Sequence, residues 1–344
     1  MQKGCPFGSH RVITPEGVLP QAAEIIDNTM DIYDNEILVS VETLNIDSAS
    51  FTQIQEQAGG SEKEIKKIML DLVQKRGKHH NPVTGSGGMF IGAIEKIGPA
   101  LEDRELQPGD RIASLVSLSL TPLRIDKIKA IRKETDQVDI EGKAILFASG
   151  IYAKLPEDLP QNLALAVLDV AGAPAQTAKL VRPGDRVLII GAGGKSGLLC
   201  LHEAKKRAGI SGKVIGLDYT AESMDRIAEA GLADAAIQAD ARNALEVRDK
   251  VLEVNDCQPV DLTINCVNIN GTEMGSILPT RQGGTIYFFS MATSFTRAAL
   301  GAEGVGLDVN MIIGNGYTRD HAVIALHTLR ENPKLKEMFT RIFA

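Results

Sequence analysis

The stretch "VLIIGAGGKSGLLC" (residues 187–200) limits what this chain can fold into more than any other segment. An apolar run enters a glycine cluster that carries one lysine and one serine. Two nucleotide motifs compete for it. A Walker-type phosphate loop needs a glycine separated by four residues from Gly194-Lys195-Ser196, and that position is Ile189, inside the apolar run. The dinucleotide fingerprint needs a strand, then Gly-x-Gly-x-x-Gly, then a helix. Gly191 and Gly193 fit its first two glycines, and the third falls one residue late at Gly197, with Gly194, Lys195 and Ser196 between.

The flanking residues support the second motif. "RVLII" (186–190) suits a buried parallel strand. Leu198, Leu199, Leu201 and Ala204 recur at helical spacing, with Gly209 as a stop. "KVIGLD" (213–218) predicts a second strand ending in Asp218, 21 residues beyond Gly197, where a carboxylate meets the ribose hydroxyls of NAD. Gly191 to Gly197 would let the backbone approach a diphosphate at the positive end of the helix. The other reading is a glycine-rich turn without a ligand; strand, glycines, helix, strand and acid in order argue against it. Tyr219, Thr220 and Ala221 offer no cation to a 2′-phosphate, so NAD is expected to serve at least as well as NADP, with dual use left open.

A net charge of −7 argues against a nucleic-acid partner. No run approaches the roughly 18 apolar residues of a membrane span, and the first residues lack a signal-peptide core. Cys5, Cys200, Cys257 and Cys266 are scattered, so neither a disulfide framework nor a structural zinc site is expected, and a reducing cytoplasm fits.

The first 150 residues read as β-rich. Residues 35–46 alternate at Ile37, Val39 and Val41 as a half-buried strand, and residues 90–98 and 107–116 suggest two more. Residues 64–77 form the clear helix of this part. From about residue 156, helix (160–180), strand, helix, strand, helix (222–231), strand (261–267) and strand (283–290) follow, the pattern of a doubly wound parallel sheet. Residues 321–339 read as helix broken at Pro333.

"NEILVSVETLNIDS", "GAIEKIG" with "LQPGDRIAS", "LVRPGDRVLIIGAGGKSG" and "QGGTIYFFS" resemble, in order, segments of the medium-chain dehydrogenase/reductase superfamily. The resemblance implies an α/β protein: a Rossmann doubly wound parallel sheet (156–299) plus a β-rich GroES-like catalytic domain (1–155) to which residues 300–344 return. It also implies a homodimer through an edge strand of the cofactor domain, and "TIYFFS" is an apolar strand close to where that edge is expected. "KGCPFGSHRVITPEGVLPQ" and "DNTMDIYDNEILVSVETLNIDSASFTQI" resemble more closely a bacterial family of diamino-acid dehydrogenases from lysine fermentation. That likeness implies oxidative deamination of (3S,5S)-3,5-diaminohexanoate to 5-amino-3-oxohexanoate and ammonia with reduction of NAD(P).

The zinc branch of the superfamily keeps a cysteine in the loop after the first strand, Gly-His-Glu before the next strand and a further cysteine ahead of the cofactor domain. Here those places hold "NIDSAS", Gly87-Gly88-Met89 and "LALAVLDVAGAP", so no metal is expected. Amine oxidation then needs a base from the chain. Asp47 occupies the zinc-ligand position and is the first candidate, with an Asx turn or helix cap as its other reading. Ser48, His79 and His80 are further catalytic candidates, and Ser50, Lys78, Ser86 and Arg124 are candidates for holding the substrate. Each also reads as a cap, a solvated basic loop or surface. Tyr219, Asp240, Cys266, Val267 and Ser290 complete the expected cofactor lining. Two other functions fit the same motifs: a zinc-free NADPH-dependent quinone or enone reductase, and a dinucleotide-binding protein without activity.

Overall fold

The structure is a computed structural model that describes residues 1–101, 105–290, 292–314 and 316–344. The chain forms two compact units, Met1–Glu157 and Asp158–Ala344.

The second unit is built on a six-stranded, wholly parallel sheet. From edge to edge its strands are Ala235–Gln238, Lys213–Asp218, Arg186–Ile190, Val260–Asn265, Thr280–Phe288 and Asn310–Ile313. In chain order this is 3-2-1-4-5-6, the doubly wound arrangement. The central strand explains itself: Val187, Leu188, Ile189 and Ile190 are all fully buried, as a strand covered by helices on both faces requires. The expected helix over 160–180 is two helices, Gln161–Leu168 and Gly172–Leu180. Pro333 ends one helix and opens another at its first position, with Asn332 capping the Leu335 N–H at 3.0 Å.

One expectation fails here. Residues 300–344 do not return to the first unit. Helix His321–Glu331 packs on Gly172–Leu180 and Gln161–Leu168, and Arg330 grips Asp158 with two bonds of 2.8 Å. "TIYFFS" lies next to the edge: Thr280–Phe288 is paired on both sides, and the outermost strand is the short Asn310–Ile313.

The first unit holds a six-stranded antiparallel sheet in the order Leu123–Arg132, Gln137–Phe147, Glu36–Asn45, Met89–Ile97, Arg111–Ser114 and Tyr152–Lys154. Strand Glu36–Asn45 is buried on both faces over its first four residues and opens to solvent on one face at Glu42. Ile37, Val39 and Val41 enter the main core with Phe51, Ile65 and Met69, while Leu38 joins Ile145 and Phe147 under Met30 and Ile32. The N-terminal segment forms that second cover. It is fastened by Arg11, which is 1% exposed and donates from Nε and one terminal nitrogen to the two oxygens of Glu36, both at 2.7 Å. The rest of the guanidinium reaches Asp27 and the carbonyls of Thr29 and Asp31. Among the described residues no helix is long and apolar enough to cross a membrane.

Candidate active site

In the second unit the glycine turn follows the central strand. Gly191 has φ of 80°, the left-handed region that a Cβ disfavours. A Cβ on Gly197 would lie 2.1 Å from the Gly191 carbonyl oxygen. Gly197 therefore supplies the close helix–strand packing of the third fingerprint glycine, although it comes one residue late. A Cβ on Gly193 would lie 2.4 Å from the Ser223 carbonyl oxygen, so the chain's own next helix, Ala221–Ala230, demands glycine there. Helix Lys195–Ala208 opens at Gly194 with no side-chain cap, and its first intrahelical acceptor, the Gly194 carbonyl, is used only by Leu198. The amides of Lys195, Ser196 and Gly197 thus have no intrahelical acceptor. Uncapped amides at a positive helix end, lined by glycine, fit a diphosphate.

Asp218 ends the second strand. Its Oδ2 accepts the Gly193 N–H at 2.9 Å and its Oδ1 the Tyr219 N–H at 2.8 Å, so the acid is fixed against the turn. Tyr219 is exposed. Asp240 turns to Arg242, whose hydrogen bonds hold its carboxyl below the usual range. Lys195 donates to Asp169 at 2.7 Å. The Cys266 sulfur lies 3.9 Å from that of Cys200, and this hydrogen-bonded contact, then burial, pushes the Cys266 thiol up, so it stays protonated. The Val267 N–H is held by Asn265, and Ser290 Oγ meets Asn268 at 3.3 Å.

In the first unit Asp47 stands just before helix Ser48–Gln57, and its Oδ2 accepts the Gly87 N–H at 3.0 Å. The loop after the first strand and the loop before "MFIGAIEKI" are thus brought together, as the superfamily register implies. His79 is fully buried beside the Gly87 backbone, and neither ring nitrogen makes a hydrogen bond of good geometry to the described residues. Burial pushes its imidazole down to about 4. His80 is half-buried with an unpartnered Nδ1, and burial, then Lys78 and Arg76, lower its pKa too.

Four candidates have other employment. Lys78 is buried, not part of a solvated loop. Its Nζ donates to the Pro20 carbonyl at 2.7 Å, and burial lowers its pKa to about 8. Arg124 pairs with Asp126 on an exposed strand. Ser50 is buried and accepts from Asn81, which also holds the Ser86 carbonyl through its N–H. Ser48 donates to Asp136. Asp169 was not foreseen: it carries no motif, and only its contact with Lys195 brings it to the glycine turn.

The His79 shift has a measurable consequence. The unfolded chain takes up a proton near pH 6.5, the folded chain only near 4, so stability falls as pH drops through that window. His79→Gln is expected to flatten the slope of unfolding free energy against pH between about 6.5 and 4.5. An unchanged slope would mean that the ring is not held neutral.

Residues 10–156 match the family described as L-erythro-3,5-diaminohexanoate dehydrogenase N-terminal domain. The chain is 59% identical over 342 residues to L-erythro-3,5-diaminohexanoate dehydrogenase of Acetoanaerobium sticklandii, covering 99% of each. It is 57% identical over 344 residues to the enzyme of that name from Fusobacterium nucleatum subsp. nucleatum, covering 100% of each. Similar solved structures include an alcohol dehydrogenase from a Thermus species, with a TM-score of 0.53 and 21% identity over 91% of this chain and 87% of that one. Another is an Escherichia coli quinone oxidoreductase complexed with NADPH, with a TM-score of 0.53 and 18% identity over 94% and 84%. At such identities they show the fold, a Rossmann sheet with a GroES-like β domain.

Proposed function

The chain belongs to the L-erythro-3,5-diaminohexanoate dehydrogenase family, and from that premise we propose that it oxidatively deaminates (3S,5S)-3,5-diaminohexanoate to 5-amino-3-oxohexanoate and ammonia, in lysine fermentation. The observation that carries this is the identity of 59% over 99% of the chain and 99% of the relative.

A nicotinamide cofactor bound at the glycine turn would supply the acceptor for the hydride that leaves the carbon bearing the amine. The chain must supply the rest. The uncapped amides of Lys195, Ser196 and Gly197 hold the diphosphate. Asp218, fixed by two backbone N–H groups, offers its remaining lone pairs to the ribose hydroxyls and repels a 2′-phosphate, which supports NAD over NADP. The substrate amine arrives as an ammonium and must lose a proton before hydride leaves. Asp47 is partly exposed, anchored by Gly87, and is the carboxylate suited to receive that proton. His80 is half-buried and kept neutral by burial, so it has a lone pair for proton relay when water adds to the iminium carbon, whereas His79 is fully buried. The free cysteines support a cytoplasmic protein. The exposed edge Asn310–Ile313, with Ile313 pointing outward, supports a homodimer paired there, for which light scattering should give twice the chain mass.

The reaction needs no metal. Asp47 and Gly88 hold the places of zinc ligands. Among the described residues, the histidine and carboxylates whose atoms converge are His202, Glu203 and Glu331, where Lys206 and Arg207 already pair with the acids. Full activity is expected after exhaustive dialysis against a chelator; loss that zinc restores would contradict this. The quinone-reductase reading is tested alongside by comparing initial rates on the diamino acid with NAD and on quinones with NADPH. A faster quinone reaction would replace the present assignment.

A further inference from the structure

Lys195 and Asp169 each stand at the wrong end of a helix. Lys195 is the first residue of Lys195–Ala208, where the axial dipole is positive, and Asp169 directly follows Gln161–Leu168, where it is negative. Helix stability accounts for neither charge. Their 2.7 Å contact does not account for them either, because both side chains are about a third exposed and such pairs contribute little.

Their place is more informative. The helix of Lys195 springs from the central strand Arg186–Ile190, which has Lys213–Asp218 on one side and Val260–Asn265 on the other. Strand order reverses there, and ligands of doubly wound sheets collect outside the strand ends at that point. Two other carboxylates at this end of the sheet are committed: Asp218 to backbone N–H groups, Asp240 to Arg242. Among the described residues Asp169's side chain is held by Lys195, which sits on the turn that fits a diphosphate.

We propose that Asp169 binds an ammonium group of the substrate, and that Lys195 covers it until the cofactor's diphosphate draws the lysine away. This rests on the reading of the substrate as a diamino acid and of the turn as a dinucleotide site. The exchange keeps every charge matched. Lys195 trades a carboxylate for a diphosphate, and Asp169 trades one ammonium for another. Binding is then ordered, cofactor first, and an amine cannot occupy Asp169 at full strength in the free enzyme.

The test uses Asp169→Asn and Lys195→Met in the full-length enzyme. NADH affinity is read by fluorescence titration at low and high salt, and KM and kcat are read for 3,5-diaminohexanoate. Asp169→Asn should raise KM about 10- to 100-fold, the loss expected of a hydrogen bond to a charged group, with a much smaller change in kcat. It should leave NADH binding equal or tighter, because Lys195 is released. Lys195→Met should weaken NADH binding about tenfold at low salt, and less at high salt. An unchanged KM in Asp169→Asn overturns the ammonium role. NADH binding weakened equally by both substitutions overturns the exchange and makes the pair a brace for the turn. Should the wild type fail on the diamino acid, the assignment of substrate falls, and the NADH titrations still decide whether the exchange occurs.

Discussion

Asp47→Asn is expected to lower kcat for deamination by about 10²- to 10⁴-fold, the range for loss of a positioned general base. The substitution keeps the shape of the side chain. Its amide oxygen can still accept the Gly87 N–H, so the contact that joins the two loops survives. The carboxylate's charge and proton affinity are lost. Asp47 also precedes helix Ser48–Gln57, whose N-terminus favours an anion by about 0.3–1 kcal/mol, so a small fall in stability accompanies the change. Steady-state kinetics with a melting curve for each protein separate the two effects. A kcat within twofold of wild type would move the base elsewhere, with the half-buried His80 next in line.

Arg11→Ala is expected to cost about 3–5 kcal/mol, the penalty for stripping one partner from a buried ion pair. Glu36 is fully buried, and both of its oxygens receive the guanidinium. His10 Nε2 and the Tyr33 N–H also meet that carboxylate, but neither replaces a delocalised cation. The same side chain closes the part-buried carbonyls of Thr29 and Asp31, so removing it also takes a donor from each of them. Arg11→Lys should recover only part of the loss, because an ammonium cannot bond both oxygens of Glu36 in the same fork. Urea unfolding measures both variants. A loss under about 1 kcal/mol for Arg11→Ala would mean that water reaches Glu36.

The parallel sheet was legible because its strands are short apolar runs set off by glycine. "RVLII" and "KVIGLD" are strands at the predicted residues, and Gly209 stops its helix as read. Other elements gave weak signals for physical reasons. Helix Ser48–Gln57 anchors itself with only Phe51 and Ile54, too few to show a period of 3.6. The hairpin Leu123–Arg132 with Gln137–Phe147 carries register shifts at 125–127 and 128–130, and these scramble the alternation that betrays a strand. Strand Asn310–Ile313 has four residues and lies at an edge, so its pattern is too short to read.

The site was legible in part. Register alone brought Asp47 to the loop that ends in Gly87. Sequence could not show that Lys78 points inward to Pro20, because "KRGKHH" has the composition of a solvated loop. Burial there is imposed by the N-terminal segment, which lies about 60 residues away in the chain. Nor could it show Asp169, whose partner is 26 residues distant and whose own helix end gives no reason for an acid.

The central claim is that this chain removes an amine from a diamino acid by hydride transfer. The direct measurement is stoichiometry: purified enzyme with (3S,5S)-3,5-diaminohexanoate and NAD, followed to completion for reduced cofactor, ammonia and product mass. The account predicts one ammonia for each reduced cofactor and a product of the mass of 5-amino-3-oxohexanoate. Reduced cofactor without ammonia, or no reduction with any diamino acid while quinones are reduced, would contradict it.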